Sequence, residues 1–427
     1  MTAAATPSVA TDETKVPADF GDYPKHVRDG WSWPRFLNFE WARFLTWILH
    51  STVTRVKLHG IAGLPKWGPY LLLPNHTTSA DPFLITAPIG RPCHYMASVA
   101  VLRLPLVGWW LRQLGAFAKI KYIKDKESMQ ITQRLWDAGQ IITIFPEGRR
   151  SWDGQTQRIA PGIGRLIKRL DARVVYARAK NGYLFQPRWA KYPRYIPMEI
   201  EYDGPHHYGE DWSEEAIAAQ VNAKLQVQHG IAPGQRAWGW RMAHGLPNLL
   251  WACPSCSALE GLQVDPKDGD RVRCSACGAG WRIDAAAQLH PDEGGPALSV
   301  GAAYHAQLDR FGVPPRGPAS AGLPAGVVLQ AKHGRIARVP RGGKPVTVAE
   351  GAPTLTEQAL ELRGPDGAVR WRAALTDMET ISIEVGNRVQ LRIQGELFDL
   401  DPGGESILKW GHFLLGWRSP GHPVEVG

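Results

Sequence analysis

Long hydrophobic runs are missing from this 427-residue chain. No stretch reaches the roughly 18 unbroken apolar residues that a membrane-spanning helix needs. Phe36–Leu49 is interrupted by Arg43, and Val99–Phe117 by Arg103, Pro105 and Arg112. Met1–Phe20 carries acidic residues and has no apolar core, so it does not read as a secretory signal. Residues 1–30 are expected to form a disordered leader. Cysteine is scarce as well: five in the whole chain exclude a disulfide-stapled scaffold. Nor does charge swamp the apolar content. With 44% hydrophobic and 21% charged residues, the composition is that of globular proteins, and wholesale disorder is excluded. The length predicts about three domains.

The net charge of +9 is unevenly spread. Between residues 31 and 200 there are 25 Lys and Arg against 9 Asp and Glu, a local excess of 16, so the remainder is acidic. The same stretch holds 10 of the 18 tryptophans. Basic residues interleaved with Trp suit nucleic-acid phosphates and bases or an anionic membrane surface; a solvated basic face over buried Trp is the plainer alternative. The local pattern favours the membrane. Trp31, Trp33, Trp41 and Trp47 share an apolar helical segment with Phe36, Phe39, Phe44, Leu45, Ile48 and Leu49, flanked by Arg35, Arg43, Arg55 and Lys57. Such a helix lies in the interface without crossing it. Leu104–Leu114, with Trp109 and Trp110 between Arg103 and Arg112, offers a second insertion surface. Nucleic acid is the less suited partner, because the positive charge avoids the cysteine module described below.

From Arg55 to about Tyr202, short apolar runs alternate with helical patterns, which predicts an α/β domain. Strands are expected at Val56–Leu58, Tyr70–Leu73, Phe117–Ile120, Gln140–Phe145, Val174–Ala177 and Tyr195–Tyr202, with helices from Asp81 and over Glu127–Ala138, Ile163–Leu170 and Trp212–His229. The division we expect is an α/β domain with an interfacial helix over 31–245, a cysteine module over 250–285, a Pro/Gly/Ala-rich linker over 286–326, and a β-rich domain with a terminal helix over 327–420.

Two motifs carry chemistry. Asn75-His76-Thr77-Thr78-Ser79-Ala80-Asp81-Pro82 follows the apolar run ending at Leu73, at the kind of strand end where α/β folds place sites. Asp81 before Pro82 also reads as a helix N-cap. If the loop folds back, the Asp81 carboxylate meets one imidazole nitrogen of His76 and makes the other a general base. Taken alone, the pair also fits a loop histidine beside a structural cap. Phe145-Pro146-Glu147-Gly148-Arg149-Arg150-Ser151 follows a second strand and gathers a carboxylate with paired guanidiniums, which suit a phosphate.

Together, in this order, the motifs resemble those of the glycerolipid acyltransferases of the lysophosphatidate (1-acylglycerol-3-phosphate) acyltransferase type. That family's Asn-His-x4-Asp matches Asn75, His76 and Asp81, and its Phe-Pro-Glu-Gly-x-Arg-Ser matches Phe145 through Ser151, with Arg150 at the arginine. Its second motif is approximated by Gly115–Lys121, where Lys121 replaces arginine. Its fourth, a proline after the next strand, has no counterpart in Val174–Arg178; Asn181-Gly182 stands near that position. The resemblance spans about 31–202. It implies transfer of a fatty acyl group from acyl-CoA or acyl carrier protein to a lysophospholipid hydroxyl in phospholipid biosynthesis, with His76 and Asp81 catalytic. It further implies that Asn75, Lys121, Glu147, Gly148, Arg149, Arg150 and Ser151 bind substrate, and that the enzyme is cytoplasmic, peripheral on the inner face of the cell membrane. Lysophosphatidate, glycerol 3-phosphate and amino-acid lysolipids all remain open as acceptors. A catalytically weak lipid-binding scaffold is the alternative reading.

Cys253-Pro254-Ser255-Cys256 and Cys274-Ser275-Ala276-Cys277 are two C-x2-C knuckles separated by 17 residues. That spacing predicts a four-Cys zinc ribbon, structural because every ligand is protein-derived; disulfides and an iron centre are the alternatives. Cys93 reads as a buried thiol. The short β-type runs after residue 326, closed by a helix over Ser406–Trp417, resemble pleckstrin-homology-like architecture, with a helix that covers the core as the simpler reading.

Overall fold

The computed structural model describes residues 10–11, 33–119, 125–159, 162–315, 322–340, 344–384 and 388–419. The chain divides into two compact units, one of residues 1–188 and 193–239, the other of residues 189–192 and 240–427. Lys121 lies outside the described residues, as does most of the expected leader. Within that leader, Ala10–Thr11 pairs antiparallel with His206 and His207.

The first unit is built on an eight-stranded sheet with Tyr70–Pro74 at its centre, between Ile141–Thr143 and Val174–Lys180, both parallel to it. Cys93–Ser98 and Ala116–Lys119 extend the sheet on one side; Glu199–His207 extends it on the other. Tyr70 to Leu73 are completely buried, as expected of a parallel strand covered on both faces. Two amphipathic helices pack together over the sheet. Gly162–Leu170 turns Ile163, Leu166, Ile167 and Leu170 inward, and Glu214–Leu225 turns in Ile217, Val221 and Leu225. Their close approach requires Gly164, where a Cβ would stand 1.9 Å from the Glu214 carbonyl oxygen. Because the two motif-bearing strands are parallel neighbours, the loops that follow them leave the same sheet edge side by side, and this placement assembles the site.

Trp33–Leu49 is a helix of 17 residues. Phe39, Ala42 and Thr46 form its buried stripe, and Phe39 and Ala42 cluster with Phe83, Trp110 and Leu114. The Trp110 indole donates to Asn38 Oδ1 at 2.9 Å. Arg43, expected to flank a membrane face, is drawn inward instead: it pairs with Glu40 at 2.7 Å and donates to the Ala87 carbonyl at 3.3 Å, clamping the helix onto the turn after Asp81–Thr86. The opposite face is apolar and open to solvent. Leu37, Trp41, Phe44, Leu45, Trp47 and Ile48 are all exposed there, and Leu106 and Trp109 are exposed on and beside the helix Val107–Gln113. None of the described helices is long and apolar enough to cross a membrane.

The second unit contains two antiparallel sheets. Leu262–Val264, Arg271–Cys274 and Gly280–Ile283 form the expected ribbon, extended by Gln288–Pro291 and Leu298–Ser299. The stretch 286–326 differs from its expected role as a linker, because Val300–Phe311 is a helix. Ser299 caps it by accepting from the Ala302 N–H at 3.0 Å, and Val300, Ala303, Tyr304, Gln307 and Phe311 form its buried face. The Pro and Gly that dominate the stretch sit before and after these twelve residues, which contain only Gly301.

The β-rich C-terminal region is an eight-stranded antiparallel sheet spanning Val327 to Asp401, followed by the helix Ile407–Arg418. That helix is buried nearly all round, not along one stripe: Leu408, Lys409 and His412 are as enclosed as Trp410 and Phe413. A charge in this position needs partners. The Lys409 ammonium has two, Glu260 and Glu405, each at 2.7 Å.

Candidate active site

The strand Tyr70–Pro74 delivers Asn75 and His76 to the sheet edge. The Asn75 side chain is buried. It spans to the neighbouring strand, accepting from the Ala179 N–H at 2.7 Å and donating to the Ala179 carbonyl at 3.4 Å, so it pins the loop. His76 Nδ1 lies 2.9 Å from Asp81 Oδ2. The same carboxylate oxygen accepts from the Thr77 and Thr78 N–H groups at 2.6 and 2.8 Å. Asp81 therefore turns back into the loop and does not cap the helix it begins, which has no side-chain cap. Asp81 is fully buried, whereas the His76 side chain keeps 19% of its surface accessible. Its Nε2 has no bonding partner among the described residues.

Burial is the main force on the His76 imidazole and pushes its pKa below the ordinary 6.5; Asp81 pulls the other way, and Arg150 and Arg188 add to the lowering. At neutral pH the ring is then neutral. With Asp81 accepting from Nδ1–H, the lone pair is on Nε2, and this is the tautomer a general base needs. The Phe145 ring lies 4.1 Å from the imidazole, centroid to centroid, and limits its rotation.

The second loop wraps the first. Ser151 N–H donates to the His76 carbonyl at 3.0 Å. Glu147 accepts the His76 N–H on one oxygen at 2.7 Å and the Gln157 N–H on the other at 2.8 Å. Glu147 thus ties the loops together, which shapes the site. Burial outweighs those two donors and pushes its carboxyl up to about 8. Between its ordinary 4.5 and about 8, the folded protein holds a proton that the unfolded chain gives up, so this group lowers stability as pH rises. Thermal melts should show the loss, up to about 1.4 kcal/mol per pH unit, in the wild type but not in Glu147→Gln. An equal slope in both would contradict the assignment.

Ser151 is also structural: buried, it donates to Asp153 at 2.9 Å and accepts from the Gly154 N–H at 2.8 Å. Gly148 turns through the left-handed region at φ 68° with open space around it. Arg149 donates to Gln157 at 3.3 Å. Arg150 is partly buried, and its cation lies near enough to act on both His76 and Asp81.

Two elements of the site carry no motif. Asn181, in the left-handed conformation at φ 67°, anchors Pro197 and Gly230, and Gly182 sits where a Cβ would stand 2.4 Å from Thr77 Oγ1 and 3.6 Å from Asp81 Oδ1. Further on, the Arg188 guanidinium lies 4.0 Å over the Trp152 ring and donates to the Arg150 carbonyl at 3.1 Å. Asn181-Gly182 left a faint signal in the sequence. Arg188 left none, because a lone arginine in a basic stretch looks like its neighbours.

In the second unit, the Sγ atoms of Cys253, Cys256, Cys274 and Cys277 all lie within 4.8 Å of one another. The pairs Cys253–Cys277 and Cys256–Cys274 are each 3.8 Å apart. That is the S···S separation of about 3.8 Å set by tetrahedral zinc with Zn–S near 2.3 Å, and it is far too long for a disulfide. All four are free thiols, as is the buried Cys93. The quartet could hold a metal ion, with zinc the one its soft, tetrahedral donor set fits.

Residues 55–178 match the acyltransferase family model. Among solved structures, the 1-acyl-sn-glycerophosphate (LPA) acyltransferase PlsC from Thermotoga maritima matches at 17% identity and a TM-score of 0.39, over 45% of this chain and 78% of that one. A likeness that loose adds no argument of its own. The family match spans the His76–Asp81 loop and the Glu147–Arg150 loop together. Residues 55–178 of the first unit therefore carry an acyltransferase domain.

Proposed function

We propose that the protein is a peripheral membrane enzyme that transfers a fatty acyl group from an acyl thioester to the hydroxyl of a lysophosphatidate-like lysophospholipid. The observation that supports this most is the His76 Nδ1–Asp81 Oδ2 contact of 2.9 Å, within the residues that match the family model. His76 Nε2 takes the acceptor's hydroxyl proton as the oxygen attacks the thioester carbonyl. The carbon–sulfur bond breaks when the tetrahedral adduct collapses, and the proton on Nε2 passes to the departing thiolate. No acyl-enzyme is required, so no serine or cysteine nucleophile is needed beside the histidine. Arg150 holds the acceptor's phosphate, with Lys121 and Arg149 adding positive charge. Acyl-CoA or acyl carrier protein supplies the thioester. Phospholipid biosynthesis at the inner face of the cell membrane is the setting such a reaction suits.

The exposed face of Trp33–Leu49 supports membrane attachment. Trp41 is 56% exposed, and Trp47 and Trp109 are each 63% exposed, on elements that pack against the helix beginning at Asp81. The apolar surface is thus one helix away from His76, within reach of an acyl chain drawn from a bilayer. Replacing Trp41, Trp47 and Trp109 by Ser should leave the fold intact and weaken co-sedimentation with anionic vesicles by roughly tenfold or more. Undiminished sedimentation would move the membrane surface elsewhere. The four cysteines hold structural zinc in this reading, and the C-terminal sheet with its helix is an accessory domain of pleckstrin-homology-like outline. The reading as a whole is tested by acyl transfer from a labelled thioester to lysophosphatidate. Labelled diacyl product supports it, and none from either donor refutes it.

A further inference from the structure

Lys121 stands where the family's second motif has arginine, and an ammonium cannot make the two-pronged contact a guanidinium makes with phosphate. The first unit contains another guanidinium beside the site. Arg188 follows the short helix Gly182–Phe185, whose first residue packs against Thr77 and Asp81. The segment touches both catalytic loops. Gln186 accepts from Ser79 Oγ at 3.3 Å, and Arg188 donates to the Arg150 carbonyl at 3.1 Å. Lying 4.0 Å over the Trp152 indole, the guanidinium is held in plane before any ligand arrives, which lowers the ordering cost of binding. Asp81 is engaged by His76 and two loop amides, and burial pushes the Glu147 carboxyl up to about 8. Both arginines act on His76.

We infer that Arg188, beside Arg150, is the second guanidinium that holds the acceptor's phosphate, which makes phosphate-monoester lysolipids the class this site selects. The inference rests on the acyl-transfer reading for its acceptor, and the test separates the two. Binding of 1-oleoyl-lysophosphatidate and of 1-oleoylglycerol, each carried in phosphatidylcholine vesicles, is measured for wild type, Arg188→Gln and Arg188→Lys, beside acyl transfer to both. Wild type should prefer the phosphate compound. Arg188→Gln should lose on the order of 10- to 100-fold in affinity for it, as expected of hydrogen bonds to a charged group, with the neutral lipid unaffected. Arg188→Lys, which keeps the charge without the fork, should recover only part of the loss. A role limited to supporting the Arg150 loop predicts no further loss when Arg188→Gln is added to Arg150→Gln, and a lower melting temperature; that result, or undiminished affinity in Arg188→Gln, overturns the inference. A phosphate preference lost in Arg188→Gln without turnover in any form would uphold Arg188 and refute acyl transfer. Turnover without a phosphate preference would do the reverse.

Discussion

His76→Ala is expected to lower acyl transfer by about 10²–10⁴-fold, the usual worth of a positioned general base, with folding and vesicle binding retained. The side chain is partly exposed and, among the described residues, hydrogen-bonds only to Asp81, so its removal leaves a gap at the surface and no void in the sheet. Asp81 is then the group that loses a partner, but the Thr77 and Thr78 N–H groups still donate to its Oδ2. The pH dependence has a sign. Burial, reinforced by Arg150 and Arg188, lowers the imidazole pKa more than Asp81 raises it. The base is protonated, and the rate falls, only as pH drops below the ordinary 6.5, so kcat/KM should be flat across neutrality with its acid limb below that value. An acid limb above 6.5, or wild-type turnover in His76→Ala, would remove the histidine from the mechanism.

Loss of the metal should have the larger effect on structure. Purified protein should contain about one zinc per chain, and either strong chelation or Cys274→Ser should unfold the ribbon. Structural zinc contributes on the order of 10–16 kcal/mol in small zinc modules, as much as the whole stability of a typical domain. The damage should reach the terminal helix. Glu260, four residues beyond Cys256, accepts from the Ser406 N–H at 3.1 Å and pairs with Lys409, a residue 2% exposed. Once the knuckle loosens, that ammonium keeps only Glu405 in a buried place, and uncompensated buried charge costs several kcal/mol. The expected readout is loss of the second unit's melting transition together with new proteolysis near residue 405. An unchanged transition in chelator, with no metal found, would contradict the zinc assignment.

Much of this architecture was legible because its signals are local. The runs at Tyr70–Leu73, Gln140–Phe145 and Val174–Ala177 read as strands because parallel strands buried on both faces are almost wholly apolar, and each prediction falls within two residues of the observed end or three residues short of it. Cys93–Ser98 escaped notice: Cys-His-Tyr-Met-Ala-Ser has neither a β-branched run nor clean alternation, and its place in the sheet comes from neighbours on both sides. The strand expected over Tyr195–Tyr202 is displaced to Glu199–His207, beyond Pro197, which cannot donate to a ladder. Knuckle spacing foretold the cysteine quartet because C-x2-C is itself a local geometry. The helix Val300–Phe311 was hidden by the Pro and Gly around it.

The site divides in the same way. His76 and Asp81, five residues apart, were readable as a pair, and the structure joins them. The parts played by Asn75, Glu147 and Ser151 were not readable, because each bonds to backbone that only the fold brings near: Ala179 for Asn75, and His76 for both Glu147 and Ser151. Arg188 reaches Arg150 across 38 residues, a contact no motif encodes.

In the proposed reaction the His76–Asp81 pair moves an acyl group onto a lysolipid. The deciding assay offers labelled acyl-CoA, and then labelled acyl carrier protein, with lysophosphatidate, glycerol 3-phosphate and an amino-acid lysolipid in turn. Labelled phosphatidate from lysophosphatidate, absent with His76→Ala, is the predicted result. No product from any pairing, by protein that still binds vesicles, would contradict the claim and leave a lipid-binding scaffold.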